Sequence, residues 1–176
     1  MSIRRINLFG GPGCGKSTMA ANVFAYLKKQ GTEIELVDEY VKSWAWEGRE
    51  VNPFDQVYLF AKQMRKEYLV LSSSSNMIIT DSPLCLSIAY GKKYKFKNWQ
   101  QLQIIANKFE QEFPSLNFFL VRDGCEYKHD GRFETYEEAL EVDRLIMSHM
   151  DEQGIEYSSV NFDDVETVID VIVSKS

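Results

Sequence analysis

The stretch Gly10-Gly11-Pro12-Gly13-Cys14-Gly15-Lys16-Ser17 decides how this chain is read. Its spacing is G-x-x-x-x-G-K-[ST], the pattern of a loop whose backbone N–H groups cradle phosphate. Glycine is needed because larger side chains would keep those donors from the phosphate oxygens. Lys16 can reach the terminal phosphates and the Ser17 hydroxyl can ligate Mg²⁺. The flanking sequence fits: Ile3 to Phe9 is strand-like, and Met19, Ala20, Val23, Phe24 and Leu27 mark a helix over about Lys16 to Lys29. That helix points its N-terminal donors and positive dipole end at the same anion. The dinucleotide spacing G-x-G-x-x-G does not fit these glycines. The ligand expected is a nucleoside triphosphate, with Gly11, Pro12, Gly13, Cys14, Gly15, Lys16, Ser17 and Thr18 as its contacts. Cys14 holds a variable position of the loop and reads as a small packing residue.

Outward from the loop, short apolar runs alternate with amphipathic segments, the pattern of βαβ units and a parallel sheet. Ile34 to Val37 reads as a second strand, followed by an irregular Trp-rich loop to about Asn52. Pro53 suits the first turn of a long helix whose face is Val57, Phe60, Ala61, Met64, Tyr68 and Leu71. Met77 to Thr80 lacks alternation and reads as a strand buried on both faces. A helix starts near Pro83, and another carries Trp99, Leu102, Ile105, Ala106, Phe109 and Phe113. Leu116 to Val121 is the fourth strand and Ile155 to Val160 the fifth. Helices over about Thr135 to Gln153 and Asp163 to Val173 complete one doubly wound α/β domain, 1–176.

Composition sets the outer limits. The chain has 176 residues, 20 Lys plus Arg against 26 Asp plus Glu, and a formal net charge of −6. Hydrophobic residues are 44% and charged residues 26%, which excludes disorder and collagen-like repeats. No apolar run approaches the roughly 20 residues of a membrane helix. Cys14, Cys85 and Cys125 match no metal or disulfide spacing and read as reduced thiols, so a cytoplasmic protein without a membrane partner is expected.

Several carboxylates and arginines fall where the chemistry needs them. Asp81 ends the third strand beside the loop, where it can hold Mg²⁺ or cap the helix near Pro83. Asp38 and Glu39 end the second strand at the edge where parallel sheets bind ligands. Either can orient or deprotonate an attacking hydroxyl, and because they face opposite ways only one is expected to act. Arg122 ends the fourth strand and Arg132 lies in the loop beyond, so both are candidates to spread the charge of a transferring phosphoryl group. Asp143 falls near the apolar face of its helix and can anchor such an arginine, whereas Glu137, Glu138 and Glu141 read as solvated. His129 and His149 have no partner at metal-ligand spacing. The contact with adenine is expected at Val160-Asn161-Phe162-Asp163.

With these residues in view, the chain resembles the nucleotide and nucleoside kinase branch of the P-loop NTPases. More narrowly, it is similar to phage-encoded P-loop kinases related to nicotinamide riboside kinases. The motifs are the phosphate loop, Asp38-Glu39-Tyr40, Asp81-Ser82-Pro83-Leu84 and Asp130-Gly131-Arg132. The resemblance implies a nucleotide-kinase type fold with a five-stranded parallel sheet and an arginine-bearing lid at about 122–135. It also implies ATP and Mg²⁺ as cofactors, and a nucleoside, nucleotide or DNA-base acceptor in the cytoplasm of the host. Glu39 followed by Trp44 is similar to deoxynucleoside kinases, but Asp81-Ser82-Pro83 stands where those have Glu-Arg-Ser.

Phage kinases of this type include ones that phosphorylate the hydroxymethyl group of 5-hydroxymethyluracil in DNA. The segment from Gly91 to Trp99 interleaves Lys92, Lys93, Lys95 and Lys97 with Tyr94, Phe96 and Trp99, a mixture that can contact a phosphate backbone and stack on bases, or else form a helix end and connection with solvated lysines and inward-packing aromatics. Tyr40, Trp44 and Trp46 form a second aromatic group able to stack on a base or, equally, to pack the loop against the long helix from Pro53. Tyr40, Trp44, Lys92, Lys93 and Lys95 are therefore the acceptor-binding candidates. The expected function is transfer of the γ-phosphoryl group of ATP to that acceptor, a free nucleoside or deoxynucleoside monophosphate being the alternative. An ATP-hydrolysing switch is the contrasting class. A motor ATPase would carry a glutamate beside the metal aspartate, and here Ser82 follows Asp81.

Overall fold

Strand β1 (Arg5–Phe9) lies at the centre of a five-stranded sheet and is buried along its whole length. In the computed structural model, which describes residues 3–73, 76–127 and 133–175, it pairs in parallel with β3 (Met77–Thr80) on one side and β4 (Ser115–Val121) on the other. Strand β2 (Ile34–Val37) pairs with β3, and β5 (Ser158–Asn161) with β4, again in parallel. The order is β2-β3-β1-β4-β5. The register sets Ile6 opposite both Ile79 and Leu116.

Side chains alternate across β1, as a period of two requires. Ile6 and Leu8 pack with α1 (Lys16–Lys29) and α7 (Val165–Lys175), among them Met19, Val23, Val168 and Ile172. Phe9 turns to the other face, against α3 (Asp55–Leu71), α4 (Leu84–Lys93), α5 (Trp99–Glu112) and α6 (Tyr136–Glu152). The expected doubly wound arrangement is thus present, with helices on both faces. Among the described residues, no helix is long and apolar enough to cross a membrane.

Local signals explain the helix ends. Thr135 accepts from the Glu138 N–H at 3.3 Å while the Glu138 side chain accepts from the Thr135 N–H at 2.7 Å, a reciprocal cap that starts α6. Glu138 is exposed, as expected, and serves this cap as well. Three expectations shift. Residues 42–46, read as loop, form the short helix α2 (Lys42–Trp46), and β5 begins at Ser158 rather than Ile155. The buried face of α3 is Gln56, Leu59, Phe60, Gln63, Glu67 and Leu71, with Val57 and Tyr68 exposed. The helical period was right, but its inward face is partly polar: Gln56 and Gln63 line a cavity, and Glu67 meets the buried Arg5.

Candidate functional site

The carboxyl ends of β1, β2 and β3 open on a cavity of about 330 Å³. Its floor is the loop between β1 and α1, with Pro12, Gly13, Gly15, Lys16, Ser17 and Thr18 facing it. Gly15 stands at the turn into α1 with φ +84°, and a Cβ there would come within 3.2 Å of the Phe162 ring. The positive φ favours glycine, and any side chain would also require the ring to give way. Helix α1 has no side-chain cap and no acidic residue of its own in its first turn, so its first N–H groups are left for a ligand. Lys16 Nζ donates to the carbonyls of Gly10 (2.7 Å) and Gly11 (2.8 Å). The Cys14 side chain is fully buried in the core beneath the loop.

Across the floor, the Ser17 hydroxyl donates to Asp81 Oδ2 at 2.5 Å. Among the described residues Asp81 Oδ1 is buried without a hydrogen-bond partner. A buried carboxylate oxygen left over beside a hydroxyl is a donor set that fits a hard cation or its hydration water. Among the described residues no group of three or more His, Cys, Asp and Glu forms a metal cage. Mg²⁺ suits such a sparse site because it is commonly held by one or two carboxylates together with substrate phosphates.

Of the two acids ending β2, only Glu39 lines the cavity. Burial pushes its carboxyl up to about 7; Lys16 pulls it back, while Asp81 and Glu134 add to the rise. A carboxylate poised there can take a proton from a hydroxyl near neutral pH. Asp38 points to solvent, 78% exposed, and pairs with Lys66 at 2.5 Å.

The remaining wall separates the other expectations. Tyr40 lines the cavity, its backbone N–H donating to Gln63 Oε1 at 3.2 Å. Trp44 does not: it is 3% exposed, stacked on Tyr58, with the Arg49 guanidinium 3.4 Å from its ring centroid. Trp46, two residues on, lines the cavity instead. Lys92, Lys93 and Lys95 are also outside the lining. Lys92 pairs with Glu152 at 2.7 Å and lies over the Trp99 ring, and Lys93 pairs with Glu134. Lys95 is exposed. Arg122 is off the lining as well, donating to Asp143 Oδ2 at 2.5 Å and to the Pro12 carbonyl at 3.2 Å. Asp130, Gly131, Arg132 and His129 lie outside the described residues. His149 is buried edge-on against Trp99, and burial, helped by Lys92, holds its imidazole down at about 4. Phe162, in the segment expected to meet adenine, packs beside Gly15.

Sequence reading missed Gln56, Gln63, Tyr90 and Glu134, all of which line the cavity. The signal for the glutamines was present: two amides seven residues apart share one face of a helix, on the side where apolar residues were expected. Glu134 is 6% exposed yet reaches the cavity, where Lys93 balances its charge.

A family model described as AAA domain matches residues 5–167. No curated protein matches the chain in sequence. Among solved structures, the NadR protein in complex with NR superimposes with a TM-score of 0.75 at 16% identity, covering 98% of this chain and 51% of that one. The NadR protein in complex with NAD and AMP-PNP gives 0.73 at 14% identity, with 98% and 49% covered. The chain thus spans about half the length of these similar structures, and what they share with it is the fold. The match from β1 into α7, built around the phosphate loop, shows that the chain belongs to the AAA-domain family of P-loop proteins.

Proposed function

We propose that this protein transfers the γ-phosphoryl group of ATP to a hydroxyl of a nucleoside-type acceptor. One observation carries the reading: Glu39, the phosphate loop and the Ser17–Asp81 pair face a single cavity that also has an aromatic and amide wall. An ATPase switch needs the first set of groups but has no use for such a wall. In the proposed reaction the loop amides and Lys16 hold the triphosphate. Glu39 accepts the acceptor's hydroxyl proton as the new O–P bond forms and the bond from the γ-phosphorus to the β–γ bridging oxygen breaks, releasing ADP. Ser17 and Asp81 would hold Mg²⁺, which when bound neutralises phosphate charge. Arg132 remains the candidate for charge on the transferring group.

The cavity also points to an acceptor that carries no phosphate of its own. Beyond the loop its charged lining among the described residues is Glu39, Asp81, Glu134 and Lys42, with Lys93 pairing Glu134 from outside the lining. That lining holds no cluster of basic groups for a second phosphate and suits a neutral or cationic nucleoside, which Tyr40, Trp46 and Tyr90 can flank. Gln56 is 2% exposed, lines the cavity and makes no side-chain hydrogen bond among the described residues, so it can bond an amide or base edge. That one of the similar structures holds NR, and the other NAD with AMP-PNP, agrees with this class. Nicotinamide riboside, a cationic nucleoside, is the acceptor we favour. The hydroxymethyl group of 5-hydroxymethyluracil in DNA is the second reading; the exposed Lys95 and Lys97 favour it.

Transfer from γ-labelled ATP to nicotinamide riboside, deoxynucleosides, deoxynucleoside monophosphates and hydroxymethyluracil-containing DNA tests the proposal. Label on a free nucleoside is expected. Label confined to a monophosphate or to DNA overturns the acceptor assignment, and steady ATP hydrolysis with no acceptor labelled overturns the kinase reading. The K16A variant should lose transfer altogether.

A further inference from the structure

Asp143 lies on α6, 132 residues along the chain from the phosphate loop, yet it bonds the loop directly. Its Oδ1 accepts from the Gly11 N–H at 2.5 Å. Its Oδ2 accepts from Arg122 Nε at 2.5 Å, and Arg122 Nη1 donates on to the Pro12 carbonyl at 3.2 Å. Asp143 is 8% exposed, and the two side chains form a closed ion pair under the loop.

The loop is divided by these contacts. In its first half, the Gly10 and Gly11 carbonyls accept from Lys16, the Gly11 N–H donates to Asp143, and the Pro12 carbonyl accepts from Arg122. Pro12 has no N–H to satisfy. In its second half, no protein group among the described residues accepts from the backbone amides of Gly13 to Ser17. The first half is fastened at N–H and carbonyl alike; the second, though the Cys125 thiol donates to the Gly13 carbonyl at 3.2 Å, keeps its N–H donors for an anion.

Sterics point the same way. A Cβ on Gly11 would come within 2.7 Å of the Ala139 carbonyl, 2.8 Å of Asp143 Oδ1 and 3.0 Å of Arg122 Nη2. Gly11 therefore sits in a notch of α6 that accepts only hydrogen. The contact explains a glycine that the φ values do not, since Gly11 is absent from the positive-φ positions. Among the described residues Arg122 Nη2 is buried without a hydrogen-bond partner, and Arg122 does not line the cavity.

We infer that Asp143 is a positioning residue for the phosphate loop: from α6, with Arg122 as its counter-ion, it fixes the backbone at Gly11 and Pro12 so that the amides of Gly13 to Ser17 converge before nucleotide arrives. Preorganised donors lose less freedom on binding, so the effect falls on nucleotide affinity. Arg122 then acts on the loop and not on the transferring phosphoryl group. The carboxylate can lie this close to a triphosphate site because Arg122 neutralises it. The inference rests on the loop binding ATP, and is independent of which acceptor is used.

The test is ATP and ADP affinity by calorimetry in D143L, D143N and, as a control on the exposed face of α6, E141Q. D143L removes both bonds and should weaken binding by roughly 10- to 100-fold, raising KM for ATP while KM for the acceptor stays within twofold. D143N keeps an oxygen for the Gly11 N–H and should lose less, and E141Q should match wild type. Folded D143L binding ATP within twofold of wild type overturns the inference. If D143L does not fold, amide exchange in the wild-type protein decides. Without nucleotide, the Gly11 N–H should exchange slowly and those of Gly13 and Gly15 fast; fast exchange at Gly11 overturns it. Wild-type protein that binds no ATP would instead defeat the reading of the loop.

Discussion

The Ser17 hydroxyl donates to Asp81 Oδ2 at 2.5 Å, joining the start of α1 to the end of β3 across 64 residues of chain. Both residues line the cavity, and among the described residues Asp81 Oδ1 is left buried without a hydrogen-bond partner. Removing either partner should disable catalysis with little effect on the fold. S17A and D81N are each expected to lower kcat by about 100-fold or more, the scale seen when preorganised groups that stabilise transition-state charge are lost. Circular dichroism and steady-state transfer assays check this; a variant keeping a tenth of wild-type turnover would count against the assignment.

Glu39 and Asp38 are neighbours with opposite surroundings, and their substitution should separate them. E39Q is expected to reduce kcat by roughly 10²- to 10⁴-fold, the range for loss of a general base. D38N, on an exposed side chain tied to Lys66, should stay within about twofold. Comparable losses in both would remove Glu39 as the base.

The same residue sets a pH dependence. Burial raises the Glu39 carboxyl to about 7, so in the free enzyme it is protonated below that pH and able to act as a base above it. A rate profile of kcat/KM for the acceptor should therefore climb through about pH 7 and level off above it. A flat profile between pH 5.5 and 8.5 would show that no group with this pKa governs the reaction.

Gln56 offers a test of acceptor recognition. Q56L should raise KM for the nucleoside about tenfold, the equivalent of one hydrogen bond, while KM for ATP stays unchanged. A change in the ATP constant and not the nucleoside constant would place Gln56 on the wrong side of the cavity.

A stability prediction comes from Glu67. It is fully buried, and burial raises its carboxyl to about 7 from 4.5 despite the opposing pull of Arg5. The folded protein therefore holds this proton more tightly than the unfolded chain. The stability that proton brings is complete below about pH 4.5 and is lost as pH rises through 7. E67Q lacks this loss, so its stability relative to wild type should rise by about 2–3 kcal/mol between pH 5 and pH 8. Thermal unfolding at the two pH values measures it; a difference that does not change with pH would contradict it.

The phosphate loop, the five strands and most helix ends were legible because their signals are local. Glycine spacing and apolar runs act within a few residues of one another; the cap of Thr135 with Glu138 is equally local, yet Glu138 reads only as solvated in the sequence. The face of α3 was not, because helical period alone does not say which side turns inward when polar groups line a cavity. Nor was the exchange of Trp44 for Trp46: both are tryptophans of one short helix, and only the packing of Tyr58 and Arg49 on Trp44 distinguishes them. The lysines of residues 92–97 looked like one patch in the sequence, yet Glu152 and Glu134, brought in from 60 and 41 residues away, engage two of them.

What the sequence determined by itself is that a strand ends in a phosphate-binding loop and a helix begins, for that turn depends on φ angles and close approaches that only glycine at these positions allows. What only the tertiary structure decided is which distant side chains hold that loop and face it. Arg122, Glu39 and Asp81 reach it from strand ends and Asp143 from the middle of α6, and their distances depend on how the sheet and helices pack rather than on any spacing along the chain.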